Sequence, residues 1–234
     1  MRIEDTMAVR RTCYMCEKEA TSKEHVPPRC FFPENKDSVS GKDLRVNLIT
    51  VPSCDMHNVE KSGDDLYLLH VIVSAYQNNI EGQRLFTKRI EKTGESRPYL
   101  LKTFFGEFHD FLANGKPISS FKLDMERFNS GMTYMANAIY FAHFKTKWHE
   151  ALEILVPSAR FSERIPKYKQ GNVFLARFEQ MDVKQQKYGA NQDIFFYQFI
   201  NGVSLDHRLL RMVFYQGFVV LAIPLKRKEY IMKK

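Results

Sequence analysis

Cys13 and Cys16 stand two residues apart, Cys54 and His57 repeat that spacing, and a 37-residue loop separates the two pairs. Two close pairs of soft ligands suit a tetrahedral ion such as Zn²⁺, because each pair clamps two vertices and leaves the loop between them free. The surrounding stretch needs such a staple. Residues 10–63 are short fragments broken by Pro27-Pro28, Pro33, Gly41 and Pro52, a texture unsuited to building a core of its own. The fourth cysteine, Cys30, has no partner at ligand spacing and is expected to be a small buried apolar residue.

The rest of the chain predicts a self-sufficient α+β body. Leu66, Leu69, Val73 and Tyr76 recur at helical spacing behind the acidic opening Ser62-Gly63-Asp64-Asp65, which predicts a helix over about 64–79. Met125, Phe128, Met132, Met135, Ile139 and Ala142 predict a second helix over about 124–147, and the Phe- and Leu-rich stretch 99–113 suggests a third. After Pro157 short runs rich in Val, Ile, Phe and Tyr read as strands: Asn172–Phe178, Ile194–Ile200, Leu209–Tyr215 and Phe218–Ile223. Gln216-Gly217 is a turn candidate between the last two. The expected architecture is therefore a zinc-stabilised front module over 1–63 and an accessory domain over 64–234. In the latter, helices fill about 64–155 and antiparallel strands about 172–225.

The 234 residues carry 35 Lys and Arg against 27 Asp and Glu, a formal charge of +8. Residues 1–63 hold 10 of each sign, so the whole excess lies downstream. A basic chain suits a polyanionic partner, with the cluster Arg160, Arg164, Lys167 and Lys169 the first candidate for phosphate contact. No apolar run is long enough to span a bilayer, and the start of the chain has no signal-peptide pattern. The expectation is a cytoplasmic protein with reduced thiols and no membrane partner.

Between the two ligand pairs sits Glu24-His25-Val26-Pro27-Pro28. Asn47 precedes the apolar run Leu48–Val51, and Asn58 and Lys61 follow the second pair. In order and spacing this pattern resembles the HNH endonucleases of ββα-metal fold, over about residues 11–64. The resemblance implies a nuclease that hydrolyses phosphodiester bonds in nucleic acid, DNA first, in a restriction, defence or mobile-element setting. His25 would be the general base, an imidazole being suited to taking a proton from water near neutrality. Glu24 and Asn58 would hold a catalytic Mg²⁺ or Mn²⁺, Asn47 would hold the loop that orients the base, and Lys61 would contact phosphate. Cys13, Cys16, Cys54 and His57 would hold a structural Zn²⁺.

Two departures from the family pattern stand out. The acid is Glu24 where Asp is commoner, and the fourth zinc ligand is His57 where many relatives have Cys. His57 could instead turn toward the catalytic cation. Other readings stay open: a zinc-stabilised module that binds nucleic acid or protein without cleaving, and a purely structural role. Residues 64–234 could position substrate, dock a protein partner or support a homo-oligomer. The aromatics Phe195, Phe196, Tyr197 and Phe199 could stack on bases, although strands packed in a core would look the same. His70, His109, His143, His149 and His207 are expected in structural roles.

Overall fold

The structure is a computed structural model that describes residues 12–59, 62–91, 108–113, 116–121, 123–157, 184–201 and 208–225. It is a mixed α+β protein. Strand β1 (Ser22–His25) pairs antiparallel with β2 (Thr50–Ser53), so that Glu24 faces Val51 across the ladder and His25 faces Thr50. Helix α1 (Asp55–Val59) follows β2 directly. Cys54 starts this helix, its carbonyl accepting from the His57 and Asn58 N–H groups at 3.1 and 3.0 Å. Ser53 before it is a buried residue at the end of β2.

Helix α2 (Ser62–Val73) is shorter than the helical spacing suggests. Its last turn is closed by polar side chains: Ser74 Oγ donates to the His70 carbonyl and Asn78 Nδ2 to the Ile72 carbonyl. Asn79 then caps α3 (Ile80–Phe86) by accepting from the Gly82 N–H. Tyr76 consequently lies in the turn, 73% exposed, and Leu66 is also exposed, so neither packs in the core despite its helical spacing. Tyr67, Leu68, Leu69, Val71, Ile72 and Val73 are buried instead, and a helix buried nearly all round gives no clean amphipathic signal. A π-helical turn over Thr87–Glu91 continues α3.

Helix α4 (Met125–Phe144) is the long central helix, capped by Asp124 and ended by Lys145 in the left-handed region. Phe128, Met132, Met135 and Ile139 are fully buried as the periodicity predicts, whereas Met125 is exposed. The 99–113 expectation needs correcting in part. Residues 108–113 form strand β3 (Phe108–Ala113), paired with β4 (Lys116–Phe121), and 99–107 lie outside the described residues. Phe and Leu serve either state, so composition alone misled here.

A four-stranded antiparallel sheet forms the far side, from β5 (Leu152–Leu155), β6 (Phe195–Asn201), β7 (Arg208–Phe214) and β8 (Phe218–Pro224), in the order β5-β8-β7-β6. The expected strand Asn172–Phe178 lies outside the described residues, as do Arg160, Arg164, Lys167 and Lys169. The β7–β8 turn falls where expected, but Tyr215 and Gln216, not Gly217, take left-handed φ angles of 47° and 58°. Gly217 is needed for space: a Cβ there would lie 2.3 Å from the Gln77 carbonyl oxygen and 2.5 Å from the Asn78 nitrogen. Gly217→Ala is expected to lower stability by about 2 kcal/mol, since two packed backbone turns must part to admit the methyl. Urea denaturation of the variant would read this loss, and an unchanged midpoint would contradict it.

Of two hydrophobic clusters among the described residues, the smaller holds Phe196, Val213, Val219 and Leu221, and the larger runs from Cys13, Tyr14 and Phe31 through α2 and α4 to Phe214, Val220 and Ala222. Polar ties reinforce it. The Tyr215 hydroxyl donates to the Phe31 carbonyl at 2.6 Å, and the Glu81 carboxylate accepts from Ser38 Oγ and the Val39 and Ser40 N–H groups. No helix among the described residues is long and apolar enough to cross a membrane.

Candidate functional site

The first ligand pair sits on a tight knuckle. The Cys13 N–H donates to the Lys18 carbonyl, Thr12 and Glu19 form an isolated bridge, and the Tyr14 N–H donates to the Pro52 carbonyl, which fastens the knuckle to β2. The second pair rides on the first turn of α1. These elements bring the ligand atoms of Cys13, Cys16, Cys54 and His57 within 4.8 Å of one another. Cys16 Sγ and Cys54 Sγ are 3.8 Å apart, and His57 Nδ1 lies 3.4 Å from Cys13 Sγ and 3.3 Å from Cys54 Sγ. A tetrahedral ion with metal–sulfur bonds near 2.3 Å and metal–nitrogen bonds near 2.0 Å requires S···S and S···N edges of about 3.8 and 3.5 Å. Three of the six edges thus match those of a Cys₃His zinc site, and His57 is one of the four residues gathered there. A metal such as zinc can bind here.

The cage is braced from both sides. The His57 ring neighbours Tyr14 and Tyr134, with centroids 6.4 and 5.8 Å away. Lys147, just past α4, donates to the Cys16 carbonyl at 2.8 Å and pairs with Glu17 at 2.7 Å. The Lys147 hydrogen bond, seconded by its charge, holds the exposed Glu17 carboxyl below its ordinary range. Sequence reasoning missed Tyr14, Tyr134 and Lys147. Tyr14, inside the Cys-x2-Cys turn, was the one with a local signal, as a large aromatic where a polar turn residue would suffice.

The other predicted residues gather around the β1–β2 hairpin. Strand pleating sends Ser22 and Glu24 to one face, where α1 packs, and Lys23 and His25 to the opposite face. Glu24 is 7% exposed and lies beside the Tyr14 phenol. Burial first, and the Glu24 charge second, push the Tyr14 hydroxyl well above its ordinary value. Asn58 projects from α1 to the Glu24 side, its Nδ2 donating to Ser22 Oγ at 2.8 Å, while Ser22 Oγ donates to the Ser53 carbonyl at 3.2 Å. That second bond uses the only Ser22 proton. The Asn58 amide must therefore present its NH₂ to Ser22, which turns its oxygen away. Ser22 is a site neighbour that the sequence offered only as a residue two before Glu24.

His25 is half-buried at the last position of β1, after which the chain turns through the buried Val26, Pro27 and Pro28. Asn47 is exposed in the left-handed region, φ 53°, and lines a small cavity with Val26 and Pro27, so it neighbours the residues that follow His25. Lys61 lies outside the described residues. Glu24 and Asn58 thus share a face, and His25 occupies the other.

Cys30, expected to be buried, is half-buried and packs against the core, its thiol pushed up to about 12 by burial and then by Asp65. Among the other histidines, His143 lies 3.2 Å from the Tyr197 hydroxyl and is held low by burial, then by Arg208 and Lys145. His149 is exposed, the His109 side chain is not described, and His207 lies outside the described residues. His70, 2% exposed in α2, is pushed down to about 4, first by burial and then by Arg89.

A neutral buried His70 has a consequence for acid stability. Its folded pKa lies below the unfolded value of 6.5, so its share of stability is complete above that value and drains away as pH falls toward 4. The loss amounts to about 3 kcal/mol once both states are protonated. Urea midpoints measured across this window are expected to fall less steeply for His70→Gln than for wild type. Parallel curves would show that His70 does not carry the effect.

Comparison of the chain with protein-family profiles, with curated proteins and with solved structures finds no match.

Proposed function

We propose that this protein is a metal-dependent endonuclease of the HNH type, with β1, β2 and α1 as its ββα-metal module, acting on nucleic acid in the cytoplasm, DNA first. The single observation that supports this best is the join between hairpin and helix. Glu24 lies on the face of β1 where Asn58 reaches Ser22, and the Cys₃His cluster brings α1 to that hairpin. A carboxylate and an amide oxygen make a hard donor pair, the kind Mg²⁺ or Mn²⁺ takes. That cation, when bound, would neutralise charge growing on the phosphate and the departing 3′ oxygen.

His25 would take the proton from the attacking water on the far side of the phosphorus. His25 points from the face of β1 opposite Glu24 and Asn58, so this reading requires the phosphate to sit at the strand end, where His25 closes β1. Asn47 would steady the chain just past His25, and Lys61 would meet a phosphate. The zinc would take no part in the chemistry and would hold the scaffold.

A second reading has its own support. Glu24 is almost fully buried beside Tyr14, the position of a structural carboxylate, and a zinc-held module that binds nucleic acid or a protein partner needs no exposed acid. Incubation of supercoiled plasmid with the zinc-loaded protein and Mg²⁺ or Mn²⁺ separates the two. Nicking that requires the added divalent ion supports the nuclease, and binding without turnover under either ion supports the adaptor.

A further inference from the structure

The hairpin face that carries His25 is the open one. Its other face is occupied by α1 and the core, with Val51 and Ser53 buried there, whereas Lys23 and Thr50 are exposed. Beside this open face runs a groove of about 350 Å³, bounded by Thr21, Ser22 and Lys23 on one strand and by Thr50, Val51 and Pro52 on the other. The volume is within the range of small-ligand sites, at its lower end, and matches one nucleotide better than a folded partner.

The lining has the chemistry of a strand-backbone site. Lys23 is the one charged residue lining the groove, and it makes no ion pair among the described residues. The Thr21 hydroxyl is already committed to Asp55 Oδ1 at 2.6 Å and the Ser22 hydroxyl to the Ser53 carbonyl, which leaves the Lys23 ammonium and the Thr50 hydroxyl as the side-chain donors of the groove lining, with Pro52 as an apolar floor for a sugar. Thr50 lies directly across the ladder from His25, and Lys23 precedes His25 by two residues on the same face, a rise of about 7 Å along the strand. That step is comparable with the distance between neighbouring phosphates of one nucleic-acid strand.

We infer that this groove is the seat for the nucleic-acid strand, Lys23 binding the phosphate next to the one presented to His25. The inference rests on the nuclease reading for its polarity relative to His25. The binding it describes is measurable without cleavage.

The test uses the full-length His25→Ala protein, zinc-loaded and without added divalent ion, and a fluorescein-labelled dodecamer of single-stranded DNA followed by anisotropy at low salt. Adding Lys23→Glu is expected to weaken binding about tenfold or more, and Lys23→Gln to reduce the slope of log affinity against log salt by about 0.7. Thr50→Trp, which fills the groove at constant charge, is expected to abolish binding. Lys42→Glu, an exposed loop position with the same change in net charge, should leave affinity within twofold, and zinc content and circular dichroism certify the fold of each variant. Equal losses from Lys23→Glu and Lys42→Glu, full binding by Thr50→Trp, or no binding by the parent protein each overturn the groove. Groove-dependent binding alongside a wild type that never cleaves upholds it and removes the nuclease reading alone.

Discussion

Cys54→Ser is expected to strip the metal and take much of the stability of the front half with it. Cys54 is 3% exposed and supplies one cage vertex, while the carbonyl on which α1 begins is backbone and survives the substitution, so the loss falls on the ligand alone. Structural zinc sites contribute on the order of 10 kcal/mol or more of binding free energy to the folded state. The core that the front half shares with the rest of the chain would offset part of that, leaving an expected loss of about 5 kcal/mol. For a chain of this size such a loss lowers the melting temperature by about 10–20 °C. Elemental analysis is expected to find one zinc per wild-type chain and none per Cys54→Ser chain. Cys30→Ala provides the control, because Cys30 lies outside the cage and should keep both metal and melting temperature. A Cys54→Ser protein that retains stoichiometric zinc and melts with the wild type would refute the cage.

The second large effect is kinetic. His25→Ala is expected to slow divalent-dependent cleavage by about 10²–10⁴-fold, the range that a positioned general base contributes. The side chain is half-buried at a strand end and its backbone pairing with Thr50 survives truncation, so zinc content and melting temperature should hold. The rate is best taken under single-turnover conditions on plasmid, where product release cannot mask the proton transfer. Should the variant nick DNA as fast as the parent, the base is another group, and the assignment built on the Glu24-His25 pair fails.

The cage was legible because metal ligation imposes spacing on the sequence itself: two residues between members of each pair leave a mark that survives any change in the loop. The sheet strands β6, β7 and β8 were legible for a related reason, their apolar and aromatic runs being bounded by turn residues. Helix ends were harder. The α2 stop depends on Asn78 reaching back to the Ile72 carbonyl and on Asn79 starting a new helix, tertiary choices that periodicity does not encode. The 108–113 strand shows the same limit, since its residues suit a helix until β4 supplies a pairing partner. At the candidate site, the ordering of Glu24, His25 and Asn58 pointed to chemistry. The pleat that sets Glu24 and His25 on opposite faces and the Ser22 bridge to Asn58 emerged only from coordinates.

The Lys147 ammonium crosses 131 positions of chain to cap the Cys16 carbonyl, close to where Tyr134 leans on His57. Excised after residue 63, the front segment would carry a raw apolar flank of Tyr14, Phe31 and Phe32 into water, and its thiolate turn would lose that cationic clasp. The cysteine turn is therefore not a portable cassette in this chain; grafting it elsewhere would require the long helix and its trailing lysine to travel along.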